Sequence, residues 1–420
     1  MSDSRMELMN WFGSDRDIWV RFLQDFTRID TSNPPGDTRA GAFFLQRFLD
    51  EQGLPYRIIA PQETMPNLIS TFACGSPGRH LVLNGHIDVF PPGDLSLWTR
   101  NPWCGDIVEG KIFGRGTVDM KCGTTASVFT YVYLSRLRKR LKGRLTLTLV
   151  SDEETKGRWG TGYLLENCAE EVMGDCVLNG EPSSPLTVRF GEKSRLWLIF
   201  RVKTPGGHGA YPHRSASATR IAAHLICDLE KLESLEPKTP ERLVQLLNRP
   251  ETRAAIDRGL GEGASEIIHR LTVNIGVIHG GVKVNMLPGE CLIEADVRLP
   301  VGLDKEALLA EVGAILKKYP QVNLEHPPGL MLNATWSDPD HEMVKILQDN
   351  VEASLRFRPP AIISLGGTDC RFWRLKGVPA YVYGPSPEGM GKPDEKVSLE
   401  EFFHVLKIHA LSAHDYLSRG

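Results

Sequence analysis

The chain has 420 residues, 41% hydrophobic and 24% charged, with a formal net charge of -3. This is an ordinary globular composition with ample apolar surface for a large core, which excludes a disordered or fibrous chain. The near balance of charge excludes the electrostatics of a nucleic-acid or anionic-membrane binder.

The length favours two domains, or one large domain with an insertion. The eight cysteines are scattered, without a Cys-x-x-Cys pair. That argues against a thiolate zinc site and for free thiols in a reducing cytoplasm. The start of the sequence lacks the positive-then-apolar pattern of a signal peptide, and no run approaches the ~18 apolar residues of a membrane span. The expectation is a cytoplasmic protein with neither nucleic acid nor membrane as partner.

In chain order, the spacing of Ile18, Phe22, Leu23 and Phe26 predicts a helix within 15–31, before Asn33-Pro-Pro-Gly36. A second helix is expected over 38–52, stopped by Gly53. Residues 80–84 have the composition of a buried strand. A helix over 122–137 follows, ending in the basic run Arg136-Leu-Arg-Lys-Arg-Leu-Lys142, read as its solvated, positively charged terminus. A strand over 144–150 completes the alternation, which implies βαβ units and a mostly parallel sheet flanked by helices.

The pattern changes near Glu192. Residues 194–202 alternate charged and apolar side chains, as in a half-exposed antiparallel strand. A helix is expected over 215–232, a polar Pro-rich stretch over 234–265, strands over 271–278 and 290–298, and a helix over 304–318. This predicts an inserted α+β domain over 193–328. The α/β pattern resumes with a helix at 341–355, strands at 361–365 and 378–383, and a last helix from Leu399. Residues 1–192 and 329–420 should together form the α/β domain.

Acidic residues and one histidine fall just after the apolar strands. His86 and Asp88 lie in Leu81-Val-Leu-Asn-Gly-His-Ile-Asp88, and Asp119 follows the turn Gly114-Arg-Gly. Glu153 and Glu154 close Val150-Ser-Asp-Glu-Glu-Thr155, and Glu181 follows Val177-Leu-Asn-Gly. Imidazole and carboxylates at strand ends are what a hydrolytic metal site requires. Asp88, two residues past His86, is placed to bond its other ring nitrogen and fix the tautomer. Adjacent carboxylates such as Glu153 and Glu154 repel unless a cation is near; one can ligate while the other takes a proton from water. Each residue alone has an ordinary explanation, such as a polar strand end, a helix cap or a solvated turn. Their recurrence favours the metal reading. No Gly-x-Ser-x-Gly or Cys/His arrangement supports nucleophilic catalysis.

The order of these residues resembles the M20 family of metallopeptidases and amidohydrolases across nearly the whole chain. The resemblance implies His86, Asp119 and Glu181 on one metal, and bridging Asp119 with Glu154 on a second. It implies Glu153 as general base and Asp88 in support of His86. It makes the insertion a dimerisation domain whose Pro205-Gly-Gly-His208 turn carries His208 to the partner's site to stabilise an oxyanion. Asn285 and Arg298 match positions that hold a substrate carboxylate, and Gly366-Gly-Thr-Asp369, with Gly367, matches a substrate loop. The departure is at Gly391, four residues before Glu395, where the family usually places a last histidine. Glu388 or a water is the alternative there. The expected cofactor is a divalent metal, zinc or manganese with cobalt as an alternative, tight at one site and weak or absent at the second.

The resulting expectation is a metal-dependent hydrolase of a C–N bond in a small carboxylated substrate, such as an N-acyl amino acid or dipeptide. It would activate water on the metal with Glu153 as base, and act as a homodimer or larger homo-oligomer. A hydrolytic deaminase of an amino-aromatic acid and a non-catalytic binding descendant are the alternatives.

Overall fold

In the computed structural model, which describes residues 3–326 and 331–419, the chain builds a helix–sheet–helix sandwich and a smaller sheet with two helices. Among the described residues the large sheet has nine strands. At its centre, Lys142–Val150, Ser76–His86, Cys176–Asn179 and Ala380–Val382 run parallel as successive neighbours. Asn67–Ala73 and Arg57–Ile59 extend one side antiparallel. On the other side lies Val188–Glu192, which pairs parallel with Ala361–Ser364 and antiparallel with Thr335–Trp336.

Apolar residues on the central strands serve both faces. Leu81, Leu83, Leu145 and Leu147 enter one core, which the helices Cys122–Leu137 and Leu399–Arg419 cover. Val82, Val150 and Val177 enter the other, with Leu164 and Trp373. This period-2 partition is what a sheet covered on both faces demands. Every residue of Cys122–Leu137 except Arg136 is buried. Its first turn packs so closely on the sheet that a Cβ added at Gly123 would lie 1.9 Å from the Gly180 carbonyl oxygen. The approach sets this helix start, and Asp119 before it, beside the strand end that leads to Glu181.

The second sheet is antiparallel, in the order Thr272–Gly280, Glu290–Leu299, Ser194–Lys203, Val322–Glu325. Its alternate residues Leu196, Leu198, Phe200, Ile293 and Val297 pack against the helices Ala218–Glu230 and Lys305–Leu316. Asp304 caps the latter by accepting from the amides of Glu306 and Ala307.

The span 193–328 does not fall wholly into this second core. The stretch expected as polar and Pro-rich contains the helices Glu241–Leu247 and Pro250–Leu260, and Leu243, Leu247, Ile256 and Ile268 join the large core. Their apolar residues are short, amphipathic sets separated by prolines, which weakens the periodic signal. The return boundary expected at 328/329 lies outside the described residues. Among the described residues, no helix is long and apolar enough to cross a membrane.

Candidate metal centre and catalytic cleft

The residues of the centre sit where the central strands end, the usual location of sites in open α/β sheets. His86 is the last residue of its strand, and its main-chain oxygen accepts from Thr124 Oγ1 at 2.7 Å. Asn179, the last residue of the next strand, accepts from the Glu181 amide at 2.8 Å and donates to Asn84 at 2.7 Å. Asp119 lies in the turn Thr117–Lys121. Buried Lys121 anchors that turn by donating to the main-chain oxygens of Phe26 and Ile29.

His86, Asp119 and Glu181 converge. Their ligand atoms all lie within 4.8 Å of one another. His86 Nε2 is 3.1 Å from Asp119 and 3.4 Å from Glu181. Its Nδ1 faces the main-chain oxygen of Asp88 at 2.7 Å, with the Asp88 carboxylate farther off at 3.5 Å. The tautomer that leaves Nε2 free is thus supported chiefly by a carbonyl. The Asp88 carboxylate is engaged elsewhere: it accepts from Asn33 Nδ2 at 2.9 Å, the Glu154 amide at 3.1 Å and the Glu153 amide at 3.3 Å. Asp88 therefore clamps the turn that carries the acidic pair.

Glu153 is buried, and its Oε1 accepts from Arg371 Nη1 at 2.8 Å. Glu154 keeps a buried Oε1 without a hydrogen-bond partner among the described residues. Burial, then the charge of Asp119, pushes both the Glu154 and Glu181 carboxyls well above the usual range. Burial opposes protonation of His86, but Glu181, Asp119 and Asp88 override it and raise the imidazole. Burial also raises Glu153, against the opposing charges of Arg371 and Arg195. Asp369 is pushed up to about 7 by burial and by Glu153. A buried cluster with more acids than cations, in which Glu154 Oε1 and both Asp369 oxygens lack a hydrogen-bond partner among the described residues, fits a divalent cation, whose charge would reverse this balance.

The second ligand set is thinner. Gly391 has a φ of 73° and offers no side chain. Buried Arg115 lies against this loop, donating to Glu395 at 2.5 Å and to the Gly391 main-chain oxygen at 3.0 Å. Glu395 Oε1 accepts from the Val118 and Asp119 amides at 2.9 and 3.3 Å. Glu395 thus braces the Asp119 turn.

The cleft over Asp119 and Glu181 is also lined by Arg189, Gly366, Gly367, Thr368 and Met390. Gly367 therefore stands at its rim. Arg298 is half-buried in the smaller sheet and ion-paired to Asp296 at 2.8 Å. His208 and Asn285 are exposed at the two-stranded pairing of Gly207–His208 with Met286–Leu287, where the Gly209 amide donates to the Asn285 main-chain oxygen. His208 meets Ala210 and Tyr211, not the ligands of its own chain. Sequence reasoning missed Arg371, Arg115 and Asn33. Only Arg371 had a local cue, two residues past Asp369 on the short helix Cys370–Leu375 that follows the Gly366 loop.

Residues 82–415 match the profile of peptidase family M20/M25/M40. The chain is 27% identical over 410 residues to the succinyl-diaminopimelate desuccinylase of Cereibacter sphaeroides, covering 95% of this chain and 99% of that one. Its fold resembles the M20 metallo-carboxypeptidase Sso-CP2 of Sulfolobus solfataricus (TM-score 0.79, 16% identity, 99% of each chain). It also resembles a dinuclear metal-binding M20 peptidase of Bacillus subtilis (TM-score 0.62, 16% identity, 96% of this chain and 99% of that one). The chain belongs to peptidase family M20/M25/M40 and is a metal-dependent hydrolase of amide bonds.

Proposed function

We propose that the protein hydrolyses the amide bond of a small carboxylate-bearing substrate, an N-acyl amino acid or a dipeptide. The observation that carries this reading is the convergence of His86, Asp119 and Glu181 beside an acid, Glu153, that is not needed as a ligand. A divalent metal, zinc or manganese with cobalt as an alternative, would be held by these three side chains and would polarise the substrate carbonyl and acidify water. Glu153 takes the proton of the attacking water and returns it to the leaving nitrogen. Arg371 fixes one Glu153 oxygen, leaving the other for the proton, and Asp88 fixes the backbone beneath it. Asp119 and Glu154 form a weaker second position, because the imidazole that would complete it is absent at Gly391.

Arg298, Asn285 and the Gly367 loop hold the substrate carboxylate, and His208 of a second copy steadies the developing negative charge. A homodimer or larger homo-oligomer is supported by the edge strand Thr272–Gly280 and its hairpin, where Val277, Ile278, Val282, Val284 and Met286 are exposed together. Residues 193–328, less the helical excursion 241–268, form the inserted domain in this reading. The curated relative's name, a desuccinylase, favours an amide over the carbon–nitrogen bond of an amino-aromatic acid.

The test combines metal analysis with turnover of N-acyl amino acids, dipeptides and amino-aromatic acids. Glu153→Gln should keep the tight ion and lower amide turnover by roughly 10² to 10⁴, the share of a positioned general base. Turnover confined to the amino-aromatic acids would overturn the amide assignment. Near-native activity of Glu153→Gln would remove Glu153 from the mechanism.

A further inference from the structure

We propose that the cleft over Asp119 and Glu181 is a pocket for an aliphatic side chain on the substrate residue that bears the carboxylate, with Leu260 and Met390 fixing how long that chain can be. This rests on the amide-hydrolase reading above.

The argument starts from the wall of the cleft. Beyond the two acids, Pro182, Leu260, Leu365, Pro387 and Met390 give it an apolar face. The polar side chains between them are engaged. Ser364 Oγ accepts from Arg189 Nη1 at 3.0 Å and from the Gly366 amide at 3.2 Å, and the amide and hydroxyl of Thr368 both donate to Glu192. Arg189 keeps a buried Nε without a partner among the described residues, but Glu181 and Glu192 act on its charge. One substrate oxygen satisfies that donor, and no further anion is called for.

Leu260 and Met390 reach the cleft from outside the sheet. Leu260 ends the helix Pro250–Leu260, which packs on the large core through Ile256. The helix end is set against the turn that follows Glu181: a Cβ added at Gly259 would lie 3.2 Å from Ser184. Gly261, with a φ of 107°, then turns the chain away. Leu260 is therefore held half-buried at the cleft by a helix rather than by a loop. Met390 is exposed and stands between Gly389 and Gly391, in a turn where its amide donates to the Pro387 main-chain oxygen at 3.1 Å. Arg115 holds the Gly391 main-chain oxygen, so the backbone is tethered one residue away. The loop that offers no imidazole thus presents an unbranched, adaptable apolar side chain.

Size and position select the ligand. The cleft encloses about 230 Å3, many times the ~10–15 Å3 that one water needs. Water on an apolar wall has few polar partners, and an alkyl group that displaces it gains the ordinary hydrophobic free energy. Gly366 and Gly367 lie on the same wall. The loop proposed to hold the carboxylate therefore sets the residue that carries it beside the apolar face, with the acyl group across the scissile bond. The substrate class narrows to N-acyl amino acids and dipeptides whose carboxyl-terminal residue is aliphatic.

Turnover of N-acetyl-alanine, N-acetyl-norvaline and N-acetyl-norleucine by the metal-loaded protein tests this. The ratio kcat/KM should rise about 4-fold per added methylene, the ~0.8 kcal/mol that each buried CH2 contributes. Met390→Ala should cut that rise to below about 2-fold per methylene, and Met390→Leu should retain more of it. Leu260→Phe, which shortens the pocket, should place norleucine below norvaline. A merely structural role would lower all three substrates alike and leave the slope unchanged. Thermal unfolding confirms that the variants are folded. Lengthening the acyl group of N-acyl-alanine from acetyl to hexanoyl should give no comparable rise. A flat series on the amino-acid side, the rise on the acyl side instead, or a slope unchanged in both Met390→Ala and Leu260→Phe would overturn the pocket. Calorimetric titration with free alanine and norleucine reads the pocket without turnover. Tighter norleucine binding with no N-acyl amino acid or dipeptide cleaved would overturn the hydrolase reading alone. Cleavage with equal binding of the two amino acids and a flat series would overturn the pocket alone.

Discussion

Replacing Asp88 by asparagine separates two roles that a carboxylate beside a metal-binding histidine can serve. In one it orients the imidazole; in the other it holds the turn that carries Glu153 and Glu154. The geometry favours the second. The carboxylate accepts three N–H bonds, from Asn33 and from the amides of Glu153 and Glu154. Asparagine keeps one acceptor and converts the other oxygen to an NH2 group, so at least one buried donor then faces another donor. A charge-assisted bond of this kind contributes about 1.5–3 kcal/mol and an orphaned donor costs about 1–3. We expect the turn to lose about 2–4 kcal/mol, enough to free the acidic pair from its working position. His86 keeps its main partner, because the oxygen at 2.7 Å from Nδ1 belongs to the main chain and survives the substitution. Asp88→Asn should therefore hold the tight ion within about 10-fold of the native affinity, whereas loss of a group that orients a ligand typically costs 10–100-fold. Turnover per bound ion should fall by roughly 10², within the share of a positioned base. Chelator competition measures the first quantity and turnover at saturating metal the second. A 100-fold weaker ion with turnover per ion intact would refute the reasoning and assign the carboxylate to His86.

Gly391→His should raise occupancy of the second position in metal analysis, since a Cβ there meets open space. Its left-handed backbone should cost about 1–2 kcal/mol in unfolding experiments, and unchanged occupancy would place the missing ligand elsewhere. His409 is fully buried and held at about 4 against 6.5 when free, by burial. Its contribution, about 3 kcal/mol, is therefore complete above pH 6.5 and lost as pH falls towards 4; because His80 and His404 are also held at about 4 by burial, His409→Gln should reduce but not abolish the slope of denaturation free energy across that window, and an unchanged slope would contradict this. Mixing inactive His208→Ala with inactive Glu153→Gln should restore up to about a quarter of native sites, because one site of each mixed dimer regains both groups. Continued inactivity despite demonstrated subunit exchange would confine His208 to its own chain.

The strand-end ligands were legible because the sheet is covered on both faces. Its strands appear as apolar runs, and the residue after each run is placed at the sheet's edge whatever the rest of the chain does. That logic marked His86 and Glu181 as strand-end candidates; that they share one site was implied by the resemblance to the M20 family. It failed where a partner comes from a different element. Nothing local to Arg371 says that it meets Glu153; the contact joins the helix Cys370–Leu375 to a turn more than two hundred residues earlier in the same domain. The helices between 241 and 268 were obscured for a related reason. Their sparse apolar positions pack onto the large core, so their burial is decided by a surface far away in sequence. Asp88 illustrates proximity misleading in the other direction: two residues from His86, it spends its carboxylate on the turn at 153–154.

The missing histidine is the place where sequence and geometry are strongest together. The sequence shows an absence at Gly391, which by itself would leave Glu395 as a relic of a lost site. In the fold Glu395 is 1% exposed, paired with Arg115, and accepts hydrogen bonds from the successive amides of Val118 and Asp119. Breaking such a buried pair costs about 3–5 kcal/mol, so this glutamate is retained by the structural demand of the Asp119 turn whether or not a second ion binds. The loop could thus lose its imidazole without disturbing the ligand that both positions share. Asp119 stays fixed for His86 and Glu181, while Glu154 is left with a buried oxygen and no nitrogen donor to complete its set. That asymmetry argues for one strongly held ion and a second position whose occupancy follows the metal concentration.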